Sequence, residues 1–238
     1  MLPAEIVFVA CVVLVGAILQ GSVGFGMGLL ASPILILIDP RFVPGPILLS
    51  TMLLTTLLTL RERHAIDFHG IRWAMVGRVG GTVAAGLVLA VVSSDRMGLL
   101  LGVSILFGVV ISFSGLRFRP NRPVLVTAGV LSGLLGTIAS IGGPPMALVY
   151  QNAEGARLRG TMSGFFLLGT IVSLATLSAI GRFGFHEMGL ALLMLPSVLV
   201  GFVCSRWTSR YIDQGYTRPA VLVVAAFAGI IVVFRQFW

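Results

Sequence analysis

Hydrophobic positions fall along this chain in eight long blocks separated by short polar breaks. The blocks cover residues 6–38, 42–60, 73–94, 97–116, 123–153, 160–181, 188–205 and 219–234. Most have the length of one membrane-crossing helix, which needs about 20 apolar residues. The first and the fifth are too long for that. A straight helix of about 30 residues would reach roughly 45–50 Å, against roughly 30 Å of hydrocarbon. Both long blocks are also studded with helix breakers: Gly21, Gly24, Gly26, Gly28 and Pro33 in the first, and Gly133, Gly136, Gly142, Gly143, Pro144 and Pro145 in the fifth.

The pattern therefore repeats. Each half is one broken segment followed by three ordinary helices. Local echoes support a duplication: Thr51-Met52 against Thr161-Met162, and Phe68-His69 against Phe185-His186. The expected fold is an all-α polytopic membrane protein of two inverted repeats. Each repeat has a Gly/Pro-broken re-entrant or hairpin segment plus three transmembrane helices, eight to ten membrane elements in all. The repeats are placed at 1–116 and 123–238 around a short basic linker, 117–122, within a single transporter domain.

Composition agrees with that class. The chain has 238 residues, of which 57% are hydrophobic and 10% charged, where a soluble domain carries about 25% charged residues. The net charge is +8, and all 16 cationic Lys/Arg positions are arginine. In a membrane protein this places arginine in the flanking loops, against anionic lipid, and no nucleic-acid partner is expected. Cys11 and Cys204 each lie in an apolar run, so no disulfide is expected. The N-terminus lacks a basic leader region and carries Glu5, which does not fit a signal peptide.

The arginines also decide how the long blocks cross. If each crosses once, loop arginines divide 8 to 7 between the two sides, with no bias. If each goes in and returns, Arg61, Arg63, Arg72, Arg117, Arg119, Arg122, Arg157, Arg159, Arg206, Arg210 and Arg218 share one side. Arg41, Arg96, Arg182 and Arg235 then take the other. The positive-inside rule favours the second arrangement and puts the larger set in the cytoplasm and both termini outside. Each half then makes an odd number of passes, so the second enters from the opposite side. The expected location is the plasma (inner) membrane of a bacterium, with a homo-oligomer left open. Whether the returning parts span fully is not fixed by the count.

The glycine motifs are the chemical centre. Residues 20–28 read QGSVGFGMG and residues 136–145 read GTIASIGGPP. Irregular backbone at membrane depth has to line a polar cavity or be covered by protein. A helix restarting after such a break turns free N–H groups and its positive dipole end toward the cavity, which suits an anion. The candidate substrate-binding residues are Gln20, Gly21, Ser22, Gly24, Gly26, Gly28, Thr137, Ser140, Gly142, Gly143 and Pro144, with Arg78 as the cation that attracts the substrate. Close helix packing is the competing reading of glycine, and it is the one adopted for Gly77/Gly81, Gly98/Gly102, Gly129/Gly133 and Gly160/Gly164. Arg78 has its own alternative, snorkelling to the headgroups from near a helix end.

These motifs, GSVGFGMG with Pro33 and IGGPP at 141–145, resemble the TauE/SafE family of sulfite and organosulfonate exporters. The likeness in repeat and length covers essentially the whole chain. It implies movement of small sulfur-containing anions such as sulfite, sulfoacetate or related carboxylates and sulfonates; the expected function is a membrane transporter, by the likeness an exporter, working by alternating access around a central site between the two hairpins. It does not name the substrate. Ala139 stands where the first motif is dense in glycine, so the two hairpins are not interchangeable.

Other polar residues say less. Gln20 and Gln151 flank the hairpins and fit an access path or an interhelical hydrogen bond equally. His69 and His186 are read as structural. Glu5, Asp39, Glu62, Asp67, Asp95, Glu154, Glu187 and Asp213 lie near membrane surfaces, so no mid-membrane carboxylate is available for proton coupling. An intramembrane enzyme would need a nucleophile with a base or a metal constellation, and neither motif is present, so no catalytic residue, metal or cofactor is assigned. An anion channel on the same hairpins, or a carrier of another small carboxylate or oxyanion, is the alternative.

Overall fold

The computed structural model describes residues 2–116, 118–209 and 214–234. Arg117, Arg210, Asp213 and Arg235 lie outside the described residues, as does the side chain of Arg218. Among the described residues the chain forms ten α-helices and no strand. They are α1 (Pro3–Val23), α2 (Met27–Ile38), α3 (Gly45–Arg61), α4 (Phe68–Val91), α5 (Ser94–Phe113), α6 (Arg122–Ala139), α7 (Gly143–Tyr150), α8 (Gly155–Ala179), α9 (Phe185–Thr208) and α10 (Gln214–Phe234). Six of them are long and apolar enough to cross a membrane. The chain is a multi-pass helical membrane protein.

Each long block is two helices. α1 and α6 have the length of a span, but α2 has 12 residues and α7 has 8. At 1.5 Å per residue these returning arms are about 18 and 12 Å long, short of a full crossing. Elsewhere the helices outrun the apolar blocks. α4 starts at Phe68, capped by Asp67, whose carboxylate accepts from Gly70 N–H at 3.0 Å. α6 starts at Arg122, capped by Asn121, which accepts from Val124 N–H at 3.0 Å. Capping residues set these starts, and first-turn arginines still reach the polar boundary. Arg72, Arg157 and Arg159 are thus helical rather than loop residues.

Small residues mark the buried face where two helices pack closely. On α4 the outward stripe is Val76, Val79, Val83 and Leu87, all exposed, while Gly77, Arg78, Gly81 and Ala85 face inward. A lipid-facing helix gains nothing hydrophobic by packing, so close backbone approach has to hold the pair together. Gly77 and Gly81 abut the carbonyls of Val126 and Val130, and Gly129 and Gly133 abut those of Ala74 and Arg78. A Cβ at any of the four would overlap backbone. α4 and α6 are therefore closely packed, and α1 packs against α9. α3 also packs on α8 and α5 on α10.

Polar contacts tie the two ends of the bundle. At one end Arg159 Nε meets Glu62 at 3.0 Å, Arg157 meets Asp67 at 3.1 Å, Arg61 donates to Ser205 Oγ at 3.0 Å, and Arg122 lies 4.8 Å over Trp73. At the other end Arg182 donates to the carbonyls of Leu89 and Val92 at 3.1 and 2.9 Å, and Phe183 packs on Gly45.

Candidate functional site

The site forms where the two broken segments turn. α1 stops at Val23 because the next positions leave helical space: Gly24 has φ 98° and Gly26 φ 132°, conformations that side chains beyond glycine rarely adopt. The Gly24 N–H closes α1 by donating to Gln20 O at 2.8 Å. α2 restarts at Met27, whose N–H donates to the Gln20 side-chain oxygen at 3.2 Å. α6 ends differently. Ser140 takes the left-handed conformation at φ 61°, and Ser140 N–H and Ile141 N–H return to Gly136 O and Leu135 O at 3.0 and 3.2 Å. This is a Schellman-like stop on a non-glycine residue.

The two turns touch. Gly28 faces the Ser140 carbonyl so closely that a Cβ there would overlap it, and a Cβ on Gly143 would lie 3.1 Å from the Phe25 ring. Between them is a cavity of about 30 Å³, room for one or two waters. It is lined by Gln20, Gly26, Gly28, Arg78, Ser140, Gly142 and Gly143, all named from the sequence, and also by Phe25, Leu29, Leu48, Thr51, Gly136, Ile141, Phe166 and Thr170.

Arg78 is the one charged side chain in that wall among the described residues. It is the eleventh residue of α4 rather than a residue near its end, and it is 1% exposed, so it does not snorkel. Its Nη1 donates to Ser132 O at 3.1 Å and to Ser132 Oγ at 2.7 Å. Its guanidinium lies 5.2 Å over the Phe165 ring, and Gly136, Gly142 and Gly169 make room for it. Its Nε has no partner, and among the described residues no carboxylate forms an ion pair with it. A buried charge without a counter-charge is expensive unless something else balances it. Gln20 Nε2 is a second unpartnered buried donor on the same wall. Helix ends add to this at α2, but less at α7, since Pro144 and Pro145 carry no N–H.

The other candidates sit behind the turns. The Gly21 carbonyl accepts from Arg61 Nη2 at 2.6 Å. The Ser22 hydroxyl pairs with Thr208 at 2.9 Å, and Gly24 packs on the Arg159 backbone. Thr137 is bonded to Thr82 at 3.2 Å and Ser173 at 2.8 Å. Pro144 is buried on α7. The Ser140 hydroxyl reaches Pro44 O at 3.2 Å. Sequence reasoning missed Ser132, which ties Arg78 to the second turn by donating to Gly142 O at 2.6 Å. Its neighbour Gly133 was assigned to packing, and the serine carried no separate signal. It also missed Arg61, whose reach to Gly21 crosses 40 positions of sequence.

Residues 8–232 match the family model described as "Sulfite exporter TauE/SafE". The chain belongs to the TauE/SafE family. The match covers both broken segments and every helix of the bundle except the last residues of α10 and the first of α1. No curated protein and no solved structure matches the chain. As a TauE/SafE protein it belongs to a family of sulfur-anion exporters, and among the described residues the wall of its central cavity holds one cation and no acid.

Proposed function

We propose that this chain exports a small sulfur-containing anion, such as sulfite or a sulfonate, across the plasma membrane by alternating access around the cavity between the hairpin turns. The observation that carries this is Arg78: fully buried, without an acidic partner, on the wall of a cavity that also holds an unpartnered amide donor. A bound anion would supply the missing counter-charge. At about 30 Å³ the cavity is smaller than a continuous aqueous pore, which favours a carrier caught in a closed state over a channel. Glycines at both turns fit such a motion, because the two hairpins meet backbone to backbone and have to separate to admit substrate.

The same reading takes the halves as inverted repeats. Exchanging them converts the α4–α6 pair into α9–α1, and leaves the α3–α8 and α5–α10 pairs in place. The first turn is tied to the end that holds Arg61 and Arg159, and the second to Pro44 at the other. The arginine-rich end is assigned to the cytoplasm and both termini to the outside.

The test is flux in proteoliposomes. Sulfite or sulfonate efflux that saturates with concentration, and that Arg78→Gln reduces, supports the carrier reading. Flux that stays linear with concentration would reassign the protein as a channel. Cysteines placed in the Arg61–Arg72 segment should label only after permeabilisation of whole cells, and labelling from outside overturns the orientation.

A further inference from the structure

The back of the second hairpin carries a different opening, unconnected with the central cavity's chemistry. The flank of α7 is left open between α5 and α6. The opening is a groove of about 470 Å³ with walls from Val110, Ile111, Val124, Leu131, Leu148 and Val149. Its two hydroxyl-bearing residues do not make it polar. Ser114 Oγ donates to Ile111 O at 2.7 Å and Thr127 Oγ1 to Pro123 O at 2.9 Å. At Phe118 and Val149, which border both, the groove runs into a second hollow of about 260 Å³ whose wall includes Arg119, Asn152 and Arg157.

We propose that groove and hollow together bind one anionic phospholipid, with an acyl chain along the apolar groove and its phosphate against Arg119. The argument is one of complementarity. In a membrane protein an open apolar groove on the outer surface is covered by acyl chain. Continuity with a basic hollow at the arginine-rich end then selects the headgroup, since basic pockets between helices hold anionic lipid. Arg119 makes no ion pair among the described residues. Arg157 is half engaged, because its Nη2 meets Asp67 at 3.1 Å, where the Tyr150 hydroxyl also donates at 3.1 Å. Arg122, over Trp73, adds to the positive potential nearby. Arg119 is therefore the cation that needs a phosphate most. The lipid would also buttress α7, which carries the Gly142–Gly143 turn at its other end.

The experiment compares nanodiscs of phosphatidylcholine with nanodiscs containing phosphatidylglycerol of the same acyl chains, and counts by native mass spectrometry the lipid each protein retains on release. The wild type should keep phosphatidylglycerol over phosphatidylcholine by about tenfold. Arg119→Gln should bring that preference near unity, and Ala128→Phe, which fills the groove floor, should cut retention of both lipids. Glycerol phosphate, a headgroup without chains, should displace neither. Equal retention of the two lipids by the wild type, or an undiminished preference in Arg119→Gln, overturns the proposal. Displacement by glycerol phosphate would show a free-phosphate site instead and overturns it too. Arg119 is at the surface, so this variant folds even if Ala128→Phe does not. None of these outcomes depends on which anion the central cavity carries.

Discussion

The two hairpins do the same job with different parts. The first turns on two positive-φ glycines and releases into α2 with its first amides intact, one of them held by Gln20. The second turns on Ser140 and releases into α7 through Pro144 and Pro145, which have no amide to offer. What the second turn lacks in backbone donors is supplied from α4: Arg78 reaches across to Ser132, and Ser132 to Gly142. One hairpin thus brings its donors in its own backbone, and the other borrows a cation. This difference goes with the one fully buried arginine among the described residues, which lies in α4.

The comparison can be broken at the contact between the turns. Gly28→Val places a side chain on the Ser140 carbonyl and should cost about 1–3 kcal/mol of stability by overpacking, with transport lost. Gly80→Ala, at a position with no atom within 4 Å of the added methyl, should instead gain up to about 1 kcal/mol from helix propensity. Thermal unfolding in detergent reads both. Equal effects at the two glycines would remove the claim that the hairpins meet at Gly28.

Ser132→Ala tests the borrowing. It deletes the 2.7 Å bond from Arg78 and the 2.6 Å bond to Gly142, and should cost about 2 kcal/mol, the scale of a buried bond to a charged group. Anion affinity should fall with it. A variant as stable as the wild type with unchanged affinity would mean that Arg78 is positioned by packing alone. The next smaller effect separates the roles of Ser140. Ser140→Ala loses the bond to Pro44 O and keeps a Cβ at positive φ, so about 1 kcal/mol is expected, while Ser140→Gly should be close to neutral because glycine suits that conformation. If both variants lose binding equally, the hydroxyl is a substrate donor rather than part of a cap.

The smallest effect lies outside the membrane. Asp67 is held below its usual carboxylate pKa: burial pushes it up, but the Gly70 amide, Arg157 and the Tyr150 hydroxyl together pull it further down. A depressed folded pKa contributes stability above the unfolded value of about 3.9 and loses it as pH falls through the folded one. The melting temperature of the wild type should therefore drop below about pH 4. Asp67→Asn should flatten that drop and, because Asn also caps helices well, cost no more than about 1 kcal/mol at neutral pH.

The helices and their breaks were legible because glycine, proline and apolar run length act locally. The starts of α4 and α8 were placed late because Arg72, Arg157 and Arg159 ended the apolar runs without ending the helices. That shift moved Arg78 from a helix end to the middle of α4, where it cannot reach headgroups. The tips of both motifs, Gly26, Gly28, Ser140, Gly142 and Gly143, line one cavity. Ser22 and Thr137 face neighbouring helices instead, a choice of helix face that the sequence alone does not make. Ser132, Thr51 and Thr170 were unreadable for the same reason: a hydroxyl on an apolar helix can bond to its own backbone, so its presence in the sequence does not tell which way it faces.

The central claim is that Arg78 holds an anion between the hairpins. The direct measurement is a thermal-shift titration of detergent-purified protein with sulfite, sulfonates, thiosulfate, sulfate and short carboxylates, set beside an organic cation of similar size, for the wild type and for Arg78→Gln. A ligand that binds the folded state raises its melting temperature. The account predicts that at least one anion stabilises the wild type and the cation does not. It also predicts that Arg78→Gln loses about 2 kcal/mol of that binding, more than it loses in stability without ligand. Stabilisation by the cation alone, or an anion response that survives Arg78→Gln undiminished, would contradict it.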